Sequence, residues 1–284
     1  MRDTFQMKLR DWQIDARSFL IGASQTPELD TQILLMHVLG KAKSWVFSHP
    51  DHELGQGNIA LLNGLIERAK QGEPIPYLIG HWEFFNLDLL VNQDVLIPRP
   101  ETELMVEPTL AWLKNRPDSN RMLDMGTGSG CIAVALAVNL PRIQIVAADI
   151  SVKALVLAQK NMEKYDLQKR ITLIQSNLFD GLDGRYDVIC ANLPYIPTAE
   201  LESLPVAKYE PRAALDGGEK GLTLISAFLE KAGAYINNPG LILCEIGSGQ
   251  ENAIIKIARQ NLPNSIIRVH PDLQGIARIV SFET

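Results

Sequence analysis

The sequence contains few cysteines, few aromatic side chains and no long hydrophobic run. Its three cysteines, Cys131, Cys190 and Cys244, have no paired spacing and no neighbouring histidine, so we expect reduced thiols and no metal site. No apolar run approaches the roughly 18 residues of a membrane-spanning helix, and no signal-peptide core opens the chain. These absences indicate a soluble cytoplasmic protein.

An excess of positive charge is also lacking. The 284 residues include 27 Lys and Arg against 33 Asp and Glu, which gives a formal net charge of −6. A general nucleic-acid binder would show an excess of basic residues, so we expect no direct nucleic-acid partner, although a local basic face stays compatible with this composition. The length allows one large domain or two unequal domains.

Residues 1–73 have a helical apolar period without strand-like alternation. A helix is expected from residue 27 or 28 to residue 39, with Gly40 as its terminator, and another around residues 61–66. The pattern predicts a small helical N-terminal domain. Such a domain serves either to dock a partner or to cap the domain that follows it.

An α/β pattern dominates the rest of the chain. Residues 74–98 predict a β-hairpin linker with strands at 77–80 and 84–89, and a helix follows to about Leu113. Apolar strand-like runs then occur at 122–125, 143–149, 171–175, 186–190, 241–246, 264–270 and 276–283, with helical patterns between most of them. This alternation predicts a doubly wound α/β sheet in a domain covering residues 99–284.

A glycine-rich loop follows the first strand of this pattern. It consists of Gly126, Thr127, Gly128, Ser129 and Gly130. Glycines at alternate positions let the backbone approach a ligand closely where a strand turns into a helix. Asp149 ends the next strand about twenty residues later, where a carboxylate accepts from ribose hydroxyls.

The loop and the acid suit either a dinucleotide or S-adenosylmethionine. A dinucleotide fingerprint has the spacing G-x-G-x-x-G, whereas this loop reads G-x-G-x-G and is preceded by Asp124. An acid there repels a pyrophosphate and attracts the ammonium group of a methionine moiety. The sequence therefore favours S-adenosylmethionine.

Asn192, Leu193, Pro194 and Tyr195 follow another strand-like run, at the strand end where open α/β sheets bind ligands. Pro194 pushes Leu193 toward an extended conformation, so the Leu193 carbonyl points in a defined direction beside the Asn192 amide. Tyr195 adds a flat ring. We interpret the four residues as a clamp for a planar nitrogen. The alternative is a plain turn after a strand.

Six stretches of this sequence carry a family resemblance. They are Pro-Tyr-Leu-Ile-Gly at 76–80, Leu-Ile-Pro-Arg-Pro-Glu-Thr-Glu at 96–103, Asp-Met-Gly-Thr-Gly-Ser-Gly at 124–130, Asn-Leu-Pro-Tyr at 192–195, Tyr-Glu-Pro-Arg-Ala-Ala-Leu at 209–215 with Gly217 and Gly218, and Glu-Ile-Gly at 245–247. In these stretches, and over essentially its whole length, the chain resembles the HemK/PrmC family of protein-(glutamine-N5) methyltransferases. The segments at 99–103 and 209–212 separate that family from DNA amino-methyltransferases with a similar clamp.

The resemblance implies a Rossmann-like class I S-adenosylmethionine methyltransferase sheet with a small all-helical N-terminal domain. It implies methyl transfer to the glutamine of the Gly-Gly-Gln motif in class I peptide-chain release factors, by a monomeric chain without membrane contact. The helical domain would dock the release factor. Implied cofactor-binding residues are Gly126, Thr127, Gly128, Ser129, Gly130, Asp149, Leu178 and Asn192, and implied catalytic residues are Asn192, Leu193, Pro194 and Tyr195.

The chain departs from the family pattern at two positions. Leu193 stands where the family usually has proline, which keeps the backbone carbonyl but changes the rigidity of the loop. Asn177 stands where the family tends to have aspartate, which still offers hydrogen bonds to an adenine edge but brings no negative charge. The first change bears on the clamp and the second on cofactor affinity.

Three other functions remain open from the sequence. They are methylation of a glutamine on a ribosomal protein, methylation of an amino group on nucleic acid, and S-adenosylmethionine binding without catalysis. The motif residues Arg99, Glu101 and Glu103 also have a structural alternative, as ion pairs at a helix start. We interpret Glu245 as a buried, hydrogen-bonded strand-end residue rather than a catalytic base.

Overall fold

The computed structural model describes residues 7–284, so the first six residues of the predicted N-terminal domain lie outside the described part of the chain. The chain forms two compact units. The first ends at Gly80 and the second runs from His81 to Thr284.

The first unit is helical, as the sequence predicts. Its helices are α1 (Leu9–Leu20), α2 (Pro27–Leu39), α3 (Lys43–Ser48), α4 (Gln56–Lys70) and α5 (Ile75–Ile79). Pro27 opens α2, and Gly40 ends it with a left-handed φ of 62°. Buried side chains such as Leu34 and Leu62 form the core of this bundle.

The expected strand at residues 77–80 is wrong, because these residues belong to α5 and its cap. Pro76 lies in the first turn of α5, where a missing N–H costs nothing, and Gly80 ends the helix with a φ of 78°. A hairpin is present, but its strands are β1 (His81–Phe84) and β2 (Leu87–Leu90). The expected strand at residues 84–89 is therefore also wrong, because it spans the turn between β1 and β2. Phe85 and Asn86 both have positive φ, as a two-residue type I′ turn requires.

The second unit is built on a seven-stranded sheet. Its strands are β3 (Arg121–Met125), β4 (Gln144–Asp149), β5 (Ile171–Gln175), β6 (Tyr186–Ala191), β7 (Ile236–Glu245), β8 (Ile266–Pro271) and β9 (Ala277–Glu283). Their order is β5-β4-β3-β6-β7-β9-β8, parallel from β5 to β7, with β9 and β8 antiparallel at the edge. This arrangement confirms the predicted doubly wound fold.

Helices cover both faces of this sheet. They are α6 (Glu103–Lys114), α7 (Cys131–Asn139), α8 (Val152–Lys164), α9 (Thr198–Leu201), α10 (Thr223–Tyr235) and α11 (Glu251–Asn261). Side chains alternate between two cores with the period of a strand, so Val188 packs on the side of α6, α7 and α8, whereas Ile189 packs on the side of α10 and α11. Within residues 7–284, no helix is long and apolar enough to span a membrane.

Asn161 joins the hairpin to the glycine loop within the second unit. Its buried side chain accepts from the Leu90 N–H at 2.7 Å and donates to the carbonyls of Leu90 at 3.0 Å and Ser129 at 2.8 Å. Because a buried polar group without a partner costs free energy, this one amide holds two segments together.

We predict that Asn161→Ala lowers the free energy of unfolding by about 2–4 kcal/mol, since it deprives one N–H and two carbonyls of their partner. The measurement is the urea midpoint by circular dichroism. Asn139→Ala is the matched control, because Asn139 is exposed and its amide donates to the Ala135 carbonyl of its own helix. Equal losses of stability in the two variants would contradict the assigned role.

Candidate functional site

The candidate site lies at the carboxyl ends of the central strands β3 and β6. The register pairs Met125 with Ala191, so the glycine loop and the Asn192 loop begin side by side. They approach so closely that a Cβ on Gly126, whose φ is 74°, would stand 3.0 Å from the Asn192 carbonyl oxygen. A glycine is therefore required where the two loops meet.

A cavity opens beside these loops. Of the predicted site residues, those that line it are Gly126, Thr127, Gly128, Ser129, Asp149, Leu178, Asn192, Leu193 and Pro194. Gly130 and Tyr195 are not part of its lining. A Cβ on Gly130 would instead come within 3.3 Å of Ala158 on α8, so this glycine serves the packing of the helix behind the loop.

Asp149 holds the glycine loop from the end of β4. Its Oδ2 accepts from the Gly128 N–H at 2.9 Å, and its Oδ1 accepts from the Ser151 N–H at 2.8 Å. Burial raises the pKa of this carboxyl above its ordinary value. The hydrogen bonds that it accepts from backbone N–H groups lower the pKa, but by less than burial raises it. The carboxylate keeps further lone pairs on the cavity side, which suits the ribose hydroxyls that the sequence predicts there.

Asp124 lies behind the glycine loop rather than on the cavity wall. It is completely buried, and its Oδ2 accepts from the Thr127 hydroxyl at 2.6 Å and from the Ala133 N–H at 3.3 Å. Burial raises the pKa of Asp124 to about 6. Asp124 therefore contacts Thr127 of the loop and Ala133 of α7, and it does not line the cavity in which the sequence expects it to attract an ammonium group.

Leu178 has a left-handed backbone with a φ of 51°, which is uncommon for a residue with a branched side chain. The Ser176 hydroxyl lies within hydrogen-bonding distance of the carbonyls of Leu178 at 2.5 Å and Asp180 at 2.7 Å, which braces this turn. Strained residues of this kind cluster at ligand sites, and Leu178 does line the cavity, next to Asn177.

Two segments distant in sequence form the outer wall, at residues 94–99 and 211–214. Glu210 joins them, because its buried carboxylate accepts from the Arg99 guanidinium at 2.5 Å and from the Ile97 N–H at 3.1 Å. Arg99 therefore forms an ion pair, although its partner is Glu210 rather than a neighbour at the helix start, and Arg99 also lines the cavity. The Glu103 side chain accepts from the Phe85 N–H at 2.9 Å, which is a hydrogen bond to the backbone and not an ion pair.

The Asn192 side chain is oriented by two residues. Its Nδ2 donates to the Thr102 hydroxyl at 3.2 Å and to Glu245 Oε2 at 3.0 Å. The amide oxygen is then the atom left to face the cavity that Asn192 lines. Thr102 and Glu245 come from motifs that the sequence singled out, but no local pattern indicated this role.

The backbone of the clamp is held by a different set of contacts. A Cβ on Gly221 would stand 2.0 Å from the Tyr195 carbonyl oxygen, so glycine is needed for this close approach. The same carbonyl accepts from Gln250 Nε2 at 2.9 Å. Gly217 and Gly218, which the family motif contains, belong to the same loop and were a partial signal of this close approach.

The cavity fits S-adenosylmethionine in its chemistry. Asp149 places negative charge on its wall, which suits a positively charged sulfur and an ammonium group, whereas Asp94 on the same wall is paired with Lys153. Ser129 Oγ is buried beside the glycine loop without a hydrogen-bond partner among the described residues, and an ammonium group is a suitable donor for it. Among residues 7–284 no cluster of His, Cys, Asp and Glu is arranged to hold a metal ion.

Known proteins resemble this chain over most of its length. Residues 11–80 match the family model of the PrmC N-terminal domain, and residues 102–206 match that of the methyltransferase small domain. A release factor glutamine methyltransferase of Rhodopirellula baltica is 37% identical, over 98% of this chain and 95% of its own. That of Geobacter sulfurreducens is 40% identical, over 87% of this chain and 86% of its own.

Solved structures with low identity show the same fold. A methyltransferase from Pyrococcus furiosus superimposes with a TM-score of 0.52 at 17% identity, covering 81% of this chain and 98% of its own. The comparison shows that the sheet and its flanking helices have the same fold as that protein.

We predict that Asp149→Asn weakens S-adenosylmethionine binding about tenfold or more, roughly 1.4 kcal/mol, measured by calorimetry. An asparagine at this position places its NH₂ group next to one of the two backbone N–H groups that donate to Asp149, so that hydrogen bond is lost. Because the Asp149 pKa is raised, wild-type affinity should fall as pH decreases through that raised pKa, where the carboxyl gains a proton. The Asp149→Asn variant should lack this fall.

Asp94→Asn is the matched control for charge. Asp94 also lines the cavity, with Lys153 at 3.4 Å, but it makes no hydrogen bond to the glycine loop. Its replacement should change affinity by less than about threefold. If both variants bind equally weakly, cavity charge and not the loop contact is responsible.

Proposed function

Because the chain belongs to the family of release factor glutamine methyltransferases, we propose that it methylates the glutamine of the Gly-Gly-Gln motif in class I peptide-chain release factors. It is an enzyme that uses S-adenosylmethionine to methylate protein glutamine. The acceptor atom is the side-chain amide nitrogen, N5.

The observation that carries the proposal is the orientation of the Asn192 amide. Its Nδ2 donates to Thr102 and Glu245, which leaves Oδ1 as an acceptor at the cavity. The Leu193 carbonyl is a second acceptor, in the next residue of the same loop. Two acceptors side by side match the two N–H groups of a primary amide, and glutamine is a side chain that carries one.

The methyl transfer depends on how this clamp holds a weak nucleophile. S-adenosylmethionine, when bound in the cavity, supplies a methyl group on a positively charged sulfur. The glutamine nitrogen is unreactive because its lone pair is delocalised into the carbonyl. Asn192 Oδ1 and the Leu193 carbonyl accept its two N–H groups and so fix the position of the nitrogen.

The same two acceptors act more strongly as the reaction proceeds. Positive charge develops on the nitrogen while its bond to the methyl carbon forms, and hydrogen bonds to two oxygens stabilise that charge more than they stabilise the neutral amide. The nitrogen then loses a proton to water. The proposal needs no side chain that removes a proton before the transfer.

Further properties of the chain follow from this proposal. We place its activity in the cytoplasm, where a release factor is available and thiols such as Cys190 and Cys244 stay reduced. We assign release-factor docking to the helical unit that ends at Gly80, and we expect the chain to act as a monomer without direct nucleic-acid contact. Pro194 and Tyr195 remain proposed site residues, Tyr195 through its hydroxyl contact with Glu245 rather than through the cavity wall.

The test is methyl transfer from labelled S-adenosylmethionine to a purified class I release factor, beside a Gly-Gly-Ala variant of that factor. We expect label on the first protein and none on the second. Label on both would place the methyl group on another residue. Label on neither, with cofactor binding intact, would favour a glutamine on a ribosomal protein, and label on nucleic acid would assign the clamp to a different substrate class.

Asn192→Ala should lower kcat for methylation about 100-fold or more, because one of the two acceptors is removed. Affinity for S-adenosylmethionine should fall less, within about tenfold, because most of the cavity is unchanged. Asn192→Asp should lose activity to a similar extent with the fold intact, because it brings a carboxyl against Glu245 and loses the Nδ2 donors.

Asn115→Ala is the control, since Asn115 is an exposed residue whose amide donates to the Ala111 carbonyl. Steady-state kinetics with the release factor and calorimetry with the cofactor separate the two effects. Unchanged turnover in Asn192→Ala would remove the clamp from the mechanism.

A further inference from the structure

Glu245 is a completely enclosed carboxylate at the end of β7. Its relative exposure is 1%, and it is adjacent to the end of β6 because the register pairs Cys244 with Ala191. A buried carboxylate is costly unless it is fully hydrogen-bonded. Glu245 accepts three hydrogen bonds, from the Thr102 hydroxyl at 2.6 Å, Asn192 Nδ2 at 3.0 Å and the Tyr195 hydroxyl at 3.1 Å.

The contacts of Thr102 and Asn192 with Glu245 form a closed triangle with the hydrogen bond that Asn192 Nδ2 donates to Thr102. Thr102 uses its one hydroxyl hydrogen on Glu245 Oε2, so its oxygen can only accept from Asn192 Nδ2. The two oxygens that accept from Nδ2 are 2.6 Å apart and therefore lie on the same side of the Asn192 amide. A flipped Asn192 amide would bring Oδ1 against a carboxylate oxygen and leave Thr102 without its donor, which is strongly unfavourable in a buried place.

The third contact, from the Tyr195 hydroxyl, holds the other end of the clamp. Tyr195 donates to Glu245 Oε1, and burial together with the Glu245 charge raises the pKa of the Tyr195 hydroxyl, which keeps it a donor. One carboxylate thus holds residues 192 and 195, on either side of Leu193 and Pro194. The carboxylate does not line the cavity, so it is not placed to take a proton from a substrate.

We propose that Glu245, with Thr102 as its relay, is a positioning residue of this methyltransferase that keeps the Asn192 amide oxygen turned toward the glutamine. The inference rests on the proposed function for its kinetic consequence. The orientation itself is a property of the protein without substrate.

The ionised state of Glu245 is essential to this role. A protonated carboxyl becomes a donor, and it would then accommodate the flipped amide, with Oδ1 on Glu245 and the NH₂ group in the cavity. Burial and the nearby Glu101 raise the pKa of Glu245, while Thr102, Tyr195 and Arg278 lower it. Three other titratable groups lie around the site. The charge of Arg99 lowers the pKa of Tyr195, and the charge of Glu245 raises the pKa of Cys131. Asp272 pairs with Arg278.

The kinetic test compares Glu245→Gln, Thr102→Val and Thr102→Ser in the full-length chain. A glutamine at 245 must turn its NH₂ group toward Tyr195 or toward the Thr102 and Asn192 donors, so kcat should fall about tenfold or more, with the Kd of S-adenosylmethionine within about threefold. Thr102→Val should lower kcat in the same way, and Thr102→Ser should restore it, because serine keeps the hydroxyl.

Thr109→Val is the matched control, since Thr109 is an equally buried threonine that donates to the Met105 carbonyl of its own helix. It should leave kcat unchanged. Wild-type kcat should fall at acidic pH as Glu245 gains a proton. The pH profile of Glu245→Gln should lack this fall, whereas a purely structural role of Glu245 would leave the shape of the profile unchanged. Wild-type kcat in both Glu245→Gln and Thr102→Val would overturn the inference.

A second measurement needs no substrate and no folded Glu245 variant. In protein labelled with ¹⁵N-asparagine, the Asn192 side-chain NH₂ signals, assigned by their loss in Asn192→Ala, should shift as Glu245 titrates and in Thr102→Val. Signals of Asn161, whose NH₂ group donates to the carbonyls of Leu90 and Ser129, should stay constant as the internal reference. Asn192 signals whose chemical shifts change neither with pH nor in the Thr102→Val variant would overturn the inference.

The two measurements separate the inference from the proposed function. If the wild-type chain does not methylate a release factor but the Asn192 signals follow Glu245, the substrate assignment fails and the positioning role stands. If methylation occurs and neither kcat nor the signals depend on Glu245, the function stands and the positioning role fails.

Discussion

The parallel pairing of β3 with β6 is the contact on which the candidate site depends. It sets Met125 beside Ala191, and both chains then leave the sheet at the same edge, one as the glycine loop and the other as the clamp. The close approach of Gly126 to the Asn192 carbonyl oxygen is a direct consequence. Cofactor loop and substrate clamp are therefore one unit, and a shift in this register would separate the methyl donor from the nitrogen that receives it.

Residues outside this junction hold the site together as well as forming part of its surface. Glu210 ties the segment around Arg99 to its own loop, Gly221 lets the backbone of Tyr195 pass, and Glu245 fixes the Asn192 side chain. Most of these contacts involve a buried charge or a close approach of backbone, at a position where only one residue type fits.

Much of the fold and part of the site could be predicted from the sequence, for identifiable reasons. The seven strands were predictable because β-branched and apolar runs alternate with helical patterns, and the cavity residues of the glycine loop were predictable from spacing. The expected strand at residues 77–80 is wrong because three apolar residues followed by a glycine cannot distinguish a short helix from a strand. Gly80, with its left-handed φ, ends a short helix instead.

The finer parts of the site could not be predicted, because they depend on residues far apart in the chain. The Asn192 amide is oriented by Thr102, 90 positions earlier, and by Glu245, 53 positions later. No local pattern contains that geometry. For the same reason the sequence could indicate Tyr195 as part of the clamp but not that its hydroxyl turns to Glu245, and it could indicate Gly130 in the loop but not that it packs against Ala158.

The central claim is that the cavity presents two oxygens to a glutamine nitrogen. The most direct measurement is a crystal structure of the full chain with S-adenosylhomocysteine and a class I release factor. The account predicts the Gly-Gly-Gln nitrogen within about 3.2 Å of both Asn192 Oδ1 and the Leu193 carbonyl oxygen, with Asn192 Nδ2 still on Glu245. A glutamine nitrogen held by other groups, or an Asn192 amide turned with its NH₂ toward the substrate, would contradict it.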